Sequence, residues 1–281
     1  MNVPSFLDHL GQSYVSYINS SNWSEFKNSA IYCMSPAIPS VRRSGDIKFP
    51  PPLSDPSKVT LILCNHQSDL DQFLVFTSTT FRDDSKVPVQ LTGFTHEGFK
   101  TLPGIGQMVG KNLIGLDKGD SKITIQAKIK KFLHQGFNTF LLFPEGTFLH
   151  KNSLLKSHAF QKSPTFHKVL YPRFGAFDAF VELLQDRIEY VVDLTLDYPG
   201  YNPSKAEWSY FTYPSVAHSF LNQNRVPPPY LHASCLVVNG KWETLTHDFV
   251  LKLWKKKEHR LQIREKRELE SQYPYLFKTE E

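Results

Sequence analysis

The chain is poor in cysteine. Only three of its 281 residues are cysteines, Cys33, Cys64 and Cys235, and they show no metal-ligand spacing. An odd number of scattered cysteines argues against a disulfide framework or a structural zinc site. We therefore expect the protein to work in a reducing compartment.

Long hydrophobic runs are also missing. No stretch reaches the roughly 18 to 20 consecutive apolar residues that span a bilayer, and residues 1–20 have no signal-peptide pattern. The sequence thus predicts no transmembrane segment. With 40% hydrophobic residues the chain can still bury one continuous core. Its net charge of +5 favours an anionic ligand or membrane surface over dedicated nucleic-acid binding.

Short apolar runs alternate with helical patterns along most of the chain. The predicted strands are 59–64, 87–94, 108–116, 139–143, 189–196 and 232–238. The predicted helices are 70–80, 122–135, 153–161, 174–185 and 245–269. Nearly continuous hydrophobic strands separated by helices predict an α/β fold with a mostly parallel central sheet flanked by helices. In such a sheet, sites collect at the carboxyl ends of the strands.

Other segments are rich in residues that interrupt regular structure. Pro36, Pro39 and the prolines at 50–52 indicate that residues 30–56 contain no regular element. Residues 201–229 are predicted to be an irregular covering segment. The predicted organisation is an N-terminal amphipathic, peripheral segment (1–40), a main domain (41–240) and a C-terminal basic helix with its tail (241–281).

A further short helix, predicted at 5–18, and the helix at 245–269 are amphipathic. Residues 5–18 place aromatic and aliphatic side chains on one face, which either docks on the protein's own core or touches a membrane interface. The apolar side of the helix at 245–269 consists of Phe249, Val250, Leu253, Trp254 and Leu261. Its basic residues are Lys252, Lys255, Lys256, Lys257, Arg260, Arg264, Lys266 and Arg267. They form either a solvated face or a contact with anionic lipid or a cofactor's phosphates.

His66 and Asp71 form the first candidate site. His66 follows the strand predicted at 59–64, and Asp71 lies five residues later, at the start of a predicted helix. A carboxylate placed there can fix the imidazole tautomer, which leaves the other ring nitrogen to take a proton from a substrate hydroxyl. The pair is typical of a general base, although the spacing alone also arises by chance.

A second unusual segment, FPEGT at 143–147, also follows an apolar strand directly. Pro144 ends the strand, and Gly146 allows the backbone to approach a ligand closely. We expect Glu145 and Thr147 to present polar groups at the rim of the site. A turn that merely ends a strand is the alternative interpretation.

Four ordered segments resemble the sequence blocks of the glycerolipid acyltransferase family. They are NHQSDLD at 65–71, LPGIGQMVG at 102–110, LIGLDKGD at 113–120 and FPEGT at 143–147. Three more are similar to the eukaryotic subgroup that acylates lysophosphatidic acid, lysophosphatidylinositol and lysocardiolipin. These are KSHAF at 156–160, VLYPRFGAF at 169–177 and LKLWKKKEHRL at 251–261.

The resemblance implies acyl-CoA-dependent transfer of a fatty acyl chain to the free hydroxyl of a lysophospholipid. His66 would be the general base and Asp71 would orient it, so that the alkoxide attacks the thioester directly. The acceptor-binding blocks correspond to Lys118, Glu145, Gly146 and Thr147, and Arg173 would be a second phosphate partner. No metal or other cofactor is implied, and acyl-CoA is the co-substrate.

Three departures from the family pattern shape this expectation. Lys118 stands where the family usually has Arg, and a point charge binds phosphate less directionally than a guanidinium group. Phe148 stands where many members have Arg, which favours an acceptor with a larger headgroup than lysophosphatidic acid. The sequence predicts none of the membrane helices that are common at the family's N-terminus. We therefore expect peripheral attachment to the cytosolic face of an internal membrane, the endoplasmic reticulum, and no nucleic-acid partner.

Other chemistries remain as alternatives. His66, Asp69, Asp71 and Glu145 could form a metal site, but no second His lies at ligand spacing. Cys64 could be a nucleophile, although residues two apart on a strand stand roughly 6 to 7 Å apart. No GxSxG segment supports a hydrolase. A noncatalytic lipid-binding protein on the same fold is the alternative from another class.

Overall fold

The structure is a computed structural model that describes residues 42–43, 50–51, 53–68, 71–72, 75, 90–98, 112–160, 166–198, 230–238 and 241–272. Its strands are β1 (Arg42–Arg43), β2 (Val59–Cys64), β3 (Leu91–His96), β4 (Leu113–Leu116), β5 (Thr139–Leu142), β6 (Ile188–Asp197) and β7 (Tyr230–Val237). Its α-helices are α1 (Lys122–His134), α2 (Lys151–Phe160), α3 (Gly175–Leu184) and α4 (His247–Gln272). The predicted elements at 5–18 and 201–229 lie outside the described residues, and the predicted helix at 70–80 is described only in part.

The strands form one seven-stranded sheet in the order β1-β7-β6-β2-β5-β3-β4. Every neighbouring pair is parallel except β6 and β7, which are antiparallel. This confirms the predicted α/β fold with a mostly parallel sheet. The prediction that 30–56 contains no regular element is wrong at β1, because Arg42 and Arg43 form an edge strand that pairs with β7. Two residues between proline-rich stretches are enough for such an edge pairing.

The centre of the sheet is buried on both faces, which explains its continuous hydrophobic sequence. Val59, Leu61 and Leu63 of β2 point into a cluster that also contains buried side chains of α1, α3 and α4. Thr60 and Ile62 point to the other face and are no more than 3% exposed. Because β2 lies between β5 and β6, its carboxyl end is enclosed by the segments that follow those strands.

Local signals set the ends of the helices. Ser121 caps α1 by accepting a hydrogen bond from the backbone N–H of Thr124 at 3.2 Å. After α1 the chain turns at Gly136, which has φ +89° and so adopts a conformation that favours glycine. Helix α4 packs Val250, Leu253, Trp254 and Leu261 into the core, as its apolar pattern predicts.

Candidate active site

His66 and Asp71 are in direct contact at the carboxyl edge of the sheet. Nδ1 of His66 lies 2.9 Å from Oδ2 of Asp71. The Asp71 side chain is completely buried, whereas 18% of the His66 side chain is exposed. The predicted spacing therefore brings the two groups together while part of the His66 side chain remains accessible to solvent.

Three further hydrogen bonds fix the Asp71 carboxylate. Its Oδ2 accepts from the backbone N–H of Gln67 at 2.6 Å and from that of Ser68 at 3.0 Å. Its Oδ1 accepts from the hydroxyl of Tyr198. A carboxylate held in this way accepts the Nδ1 proton of His66, which leaves Nε2 as the unprotonated ring nitrogen.

Tyr198 was not among the site residues predicted from the sequence. It is buried, only 2% exposed, and directly follows β6, the strand beside β2. Its place at a carboxyl strand end was the available signal, but the predicted strand at 189–196 did not identify which residue beyond it would face the site. The antiparallel partner β7 was likewise predicted as a strand without its direction.

Backbone contacts hold His66 at the end of β2. The side-chain amide of the buried Asn65 donates from Nδ2 to the Leu196 carbonyl and accepts at Oδ1 from the Leu196 N–H, both at 2.8 Å. The carbonyl of His66 accepts from the N–H of Leu149 at 2.7 Å. Strand β6 and the segment that follows β5 thus hold the residues at the end of β2 in place.

Two phenylalanines pack on the His66 ring. The ring of Phe143 stacks on it with centroids 4.3 Å apart, and the ring of Phe148 meets it edge-on at 6.0 Å. Phe148 stands where many members of the family have Arg. In this structure it forms part of the wall around the imidazole. Apolar walls exclude water from the ring and strengthen its electrostatic contacts.

Glu145 does not lie at the rim of the site, contrary to our expectation. It is only 1% exposed, and its Oε1 accepts from the indole Nε1 of Trp254 at 3.2 Å. Burial raises the pKa of Glu145 well above its ordinary value, and the negative charge of Asp71 adds to this. A carboxyl group here ties the turn after β5 to helix α4. Thr147 is half-buried.

Gly146 and Arg173 lie against each other. Gly146 has φ +69°, and a Cβ there would meet Cδ of Arg173 at 3.4 Å. The backbone N–H of Arg173 also donates to the Pro144 carbonyl at 2.6 Å. The Arg173 side chain is exposed. The structure thus places one cationic side chain on the turn that begins beside His66.

Lys118 lies farther away. It follows β4, which is three strands from β2 in the sheet order, a separation of about 14 Å. Lys118 is exposed and makes no ion pair with the described residues, because neighbouring Asp120 pairs with Lys128 at 2.6 Å. That hydrogen bond from Lys128 lowers the pKa of Asp120. Lys118 shares the carboxyl edge with His66 but not its immediate surroundings.

Helix α4 closes the base of the site with buried charges. Lys257 is completely buried and pairs with Asp193, and it also donates to the carbonyls of Leu63 at 3.3 Å and Leu194 at 2.5 Å. The prediction that the basic residues of α4 lie on a solvated or lipid-binding face is therefore wrong for Lys257. Its sequence position explains this, because it lies three residues after Trp254 and four before Leu261, on the apolar side.

The alternative chemistries find little support in this geometry. Cys64 is completely buried, and burial raises the pKa of its thiol well above the ordinary value, which opposes a thiolate. Among the described residues, no three His, Cys, Asp or Glu side chains are grouped to hold a metal ion. Asp69 lies outside the described residues.

Comparison with known proteins identifies a structural relative. No family model matches the chain, and no curated protein matches it significantly in sequence. The solved structure of the 1-acyl-sn-glycerophosphate (LPA) acyltransferase PlsC from Thermotoga maritima matches 90% of this chain and 88% of its own, with a TM-score of 0.52 and 14% identity. This chain shares the fold of that acyltransferase. In the described part of the chain, no helix is both long and apolar enough to cross a bilayer.

Proposed function

We propose that this protein is an acyltransferase of the glycerolipid type, which transfers a fatty acyl chain from acyl-CoA to the hydroxyl of a lysophospholipid. The observation that carries the proposal is the His66–Asp71 contact of 2.9 Å at the carboxyl edge of the sheet. The fold shared with the Thermotoga PlsC, an LPA acyltransferase by name, supports the same reaction class.

The reaction follows from the protonation state of His66. Its Nε2 takes the proton of the acceptor hydroxyl, and the resulting oxygen attacks the carbonyl carbon of the thioester. The C–S bond then breaks, and the CoA sulfur receives the proton from the imidazolium. Asp71 stabilises the imidazolium while the proton is held there. No residue becomes acylated, and acyl-CoA is the only co-substrate.

Two cations are candidates for the phosphates of the substrates. Arg173 lies on the Gly146 turn beside the catalytic pair, and we assign it to the acceptor phosphate. Lys118 is about 14 Å away across the sheet edge. We therefore assign it to a phosphate of CoA or of a larger headgroup, and not to the acceptor phosphate that Arg173 binds. Thr147 and the Gly146 backbone border the acceptor, while Glu145 acts from beneath by holding the turn through Trp254.

We further propose that the enzyme acts peripherally, at the cytosolic face of the endoplasmic reticulum. Its substrates carry acyl chains and phosphates and reside at such surfaces. The net charge of +5 favours attraction to anionic lipid. Nucleic acid is not a partner in this proposal.

The test is CoA release from oleoyl-CoA by the purified full chain, with lysophosphatidic acid, lysophosphatidylinositol and lysocardiolipin offered separately in mixed micelles. We expect release that depends on one acceptor class. His134→Ala, at the exposed end of α1, is the histidine control for His66→Ala. We expect it to keep full activity. Release without any acceptor would indicate a thioesterase. No release from folded, lipid-bound protein would favour the noncatalytic lipid-binding alternative.

A further inference from the structure

Helix α4 directs two of its carboxylates, Glu258 and Glu265, towards the segment at 166–170. Its cations Lys257, Arg260 and Arg264 also contact the rest of the protein. Glu258 accepts from the backbone N–H groups of residues 167, 168 and 169 at 3.0, 2.8 and 3.2 Å, and Glu265 pairs with Lys168 at 2.6 Å. Glu258 also accepts from the side-chain amide of Gln262 at 2.7 Å. Neither carboxylate pairs with Lys252, Lys255 or Lys256.

The outer surface of α4 is one cationic stripe, which we call the α4 outer face. Its members are Lys252, Lys255, Lys256, His259, Gln262, Ile263, Lys266 and Arg267, all exposed and three or four positions apart around the helix. None of these eight residues is acidic; in the sequence Asp248 lies one turn before them and Glu270 one turn after. The face extends over about 22 Å at 1.5 Å per residue.

An apolar side chain interrupts the cations. Ile263 is 40% exposed, although leucines and other aliphatic residues of α4 are buried on the opposite side. A helix face of lysines and arginine around an exposed isoleucine matches a membrane interface, where cations meet lipid phosphates and apolar groups enter the headgroup layer. The choice of lipid as the anionic partner rests on the proposed function.

Helix α4 also runs alongside the strand that leads to the site. Along the helix, Arg260 donates to Thr195 of β6 at 3.1 Å, and one turn later Arg264 pairs with Asp197 at 2.7 Å. The helix thus advances in parallel with β6 towards the carboxyl edge. Arg264 reaches the last residue of β6, Asp197, and the next residue, Tyr198, binds Asp71, so this part of the helix lies near the carboxyl edge.

We propose that the α4 outer face docks the protein on an anionic bilayer and so brings the carboxyl edge of the sheet to the lipid surface. Lysines at 252, 255 and 256 supply the attraction. The C-terminal part of the face sets the height at which an acceptor lipid reaches His66.

The test compares two triple variants of the full chain on phosphatidylcholine vesicles with and without phosphatidylserine. Lys252→Gln/Lys255→Gln/Lys256→Gln removes three charges of the outer face. Lys130→Gln/Lys131→Gln/Lys241→Gln removes three exposed charges elsewhere. We expect the first variant to bind anionic vesicles about 100-fold more weakly than wild type and the second to bind within about twofold. Both should keep the wild-type unfolding midpoint.

Equal binding by both variants would overturn the proposal. So would wild-type protein that ignores anionic vesicles but binds duplex RNA through the same lysines, which would make the outer face a nucleic-acid surface. Acyl transfer to a monomeric short-chain lysophospholipid separates this inference from the proposed function. If the three substitutions abolish docking alone, the outer-face variant keeps this activity. If wild-type protein docks on anionic vesicles but transfers no acyl group, the proposed enzymatic function is wrong and the docking surface is not.

Discussion

Tyr198 donates its hydroxyl hydrogen to Oδ1 of Asp71, the carboxylate oxygen that His66 does not use. Asp71 is thereby held from two segments: the turn after β2, through the backbone of Gln67 and Ser68, and the residue that follows β6. Because the Tyr198 hydroxyl binds Asp71, we regard Tyr198 as a positioning residue that acts through Asp71. Loss of the Tyr198 hydroxyl should lower the fraction of molecules in which the His66 imidazole is correctly oriented.

Tyr198→Phe should lower kcat about tenfold and leave KM for the acceptor unchanged, because a hydrogen bond to a buried charged group contributes about 1.5–3 kcal/mol. The measurement is steady-state acyl transfer. Tyr190→Phe makes the same change near the other end of β6 and should retain wild-type kcat. A rise in KM with unchanged kcat for Tyr198→Phe would contradict the positioning role.

Glu145 makes stability depend on pH. Its ordinary pKa is 4.5, and burial raises the pKa in the folded protein. The folded state therefore holds this proton more tightly than the unfolded chain, so its contribution to stability is full below pH 4.5 and is lost as pH rises through the folded pKa. Glu145→Gln cannot titrate.

Urea unfolding at about pH 5 and about pH 8 measures this effect. From about pH 5 to about pH 8, the free energy of unfolding of Glu145→Gln should rise relative to that of wild type. The rise should be about 1.4 kcal/mol for each pH unit that lies between the ordinary pKa of Glu145 and its pKa in the folded protein. Glu182→Gln, an exposed change on α3, serves as the control and should show no comparable trend. A constant difference between Glu145→Gln and wild type would show that Glu145 has an ordinary pKa.

The buried Lys257–Asp193 pair stabilises the fold only while both partners are present. Lys257→Met leaves the buried Asp193 charge without its cation, and we expect a loss of about 3–5 kcal/mol in the free energy of unfolding. Lys257→Met/Asp193→Leu should be more stable than the single variant. Lys255→Met, at an exposed position of the same helix, should change stability by about 0.5 kcal/mol or less.

The pattern of the sequence was sufficient for the elements with strong local signals. Strand β2 was predicted at 59–64 and observed at Val59–Cys64, because its hydrophobic run has clear ends. Helix α1 was predicted at 122–135 and observed at Lys122–His134, where Ser121 and Gly136 limit it. Periodicity also identified α4, since its apolar side chains repeat at helical spacing.

Long-range contacts were beyond these signals. The His66–Asp71 contact is local and could be predicted, but the bond from Tyr198 spans 127 positions. The burial of Glu145 depends on Trp254, 109 positions away, so its residue type alone suggested an exposed group. Asp193 lies inside an apolar strand, and its pairing with Lys257, 64 positions away, is visible only in the fold.

Gly146 and Gly175 provide a matched pair of glycine substitutions. Gly146→Ala should destabilise the protein by about 1–2 kcal/mol, because alanine disfavours positive φ and this residue has φ +69° with Arg173 close by. Gly175→Ala has open space around its new Cβ and starts α3, so we expect a gain of about 0.4–1 kcal/mol. Denaturant midpoints check both signs, and equal effects would mean that the turn relaxes.

The central claim is that His66 removes the proton of the acceptor hydroxyl. The most direct measurement is the rate at which His66→Ala forms the acylated phospholipid from oleoyl-CoA, followed by mass spectrometry, beside wild type. We predict a loss of about 10²- to 10⁴-fold, with the unfolding midpoint and vesicle binding preserved. Product formation by His66→Ala at the wild-type rate would show that His66 is not the general base.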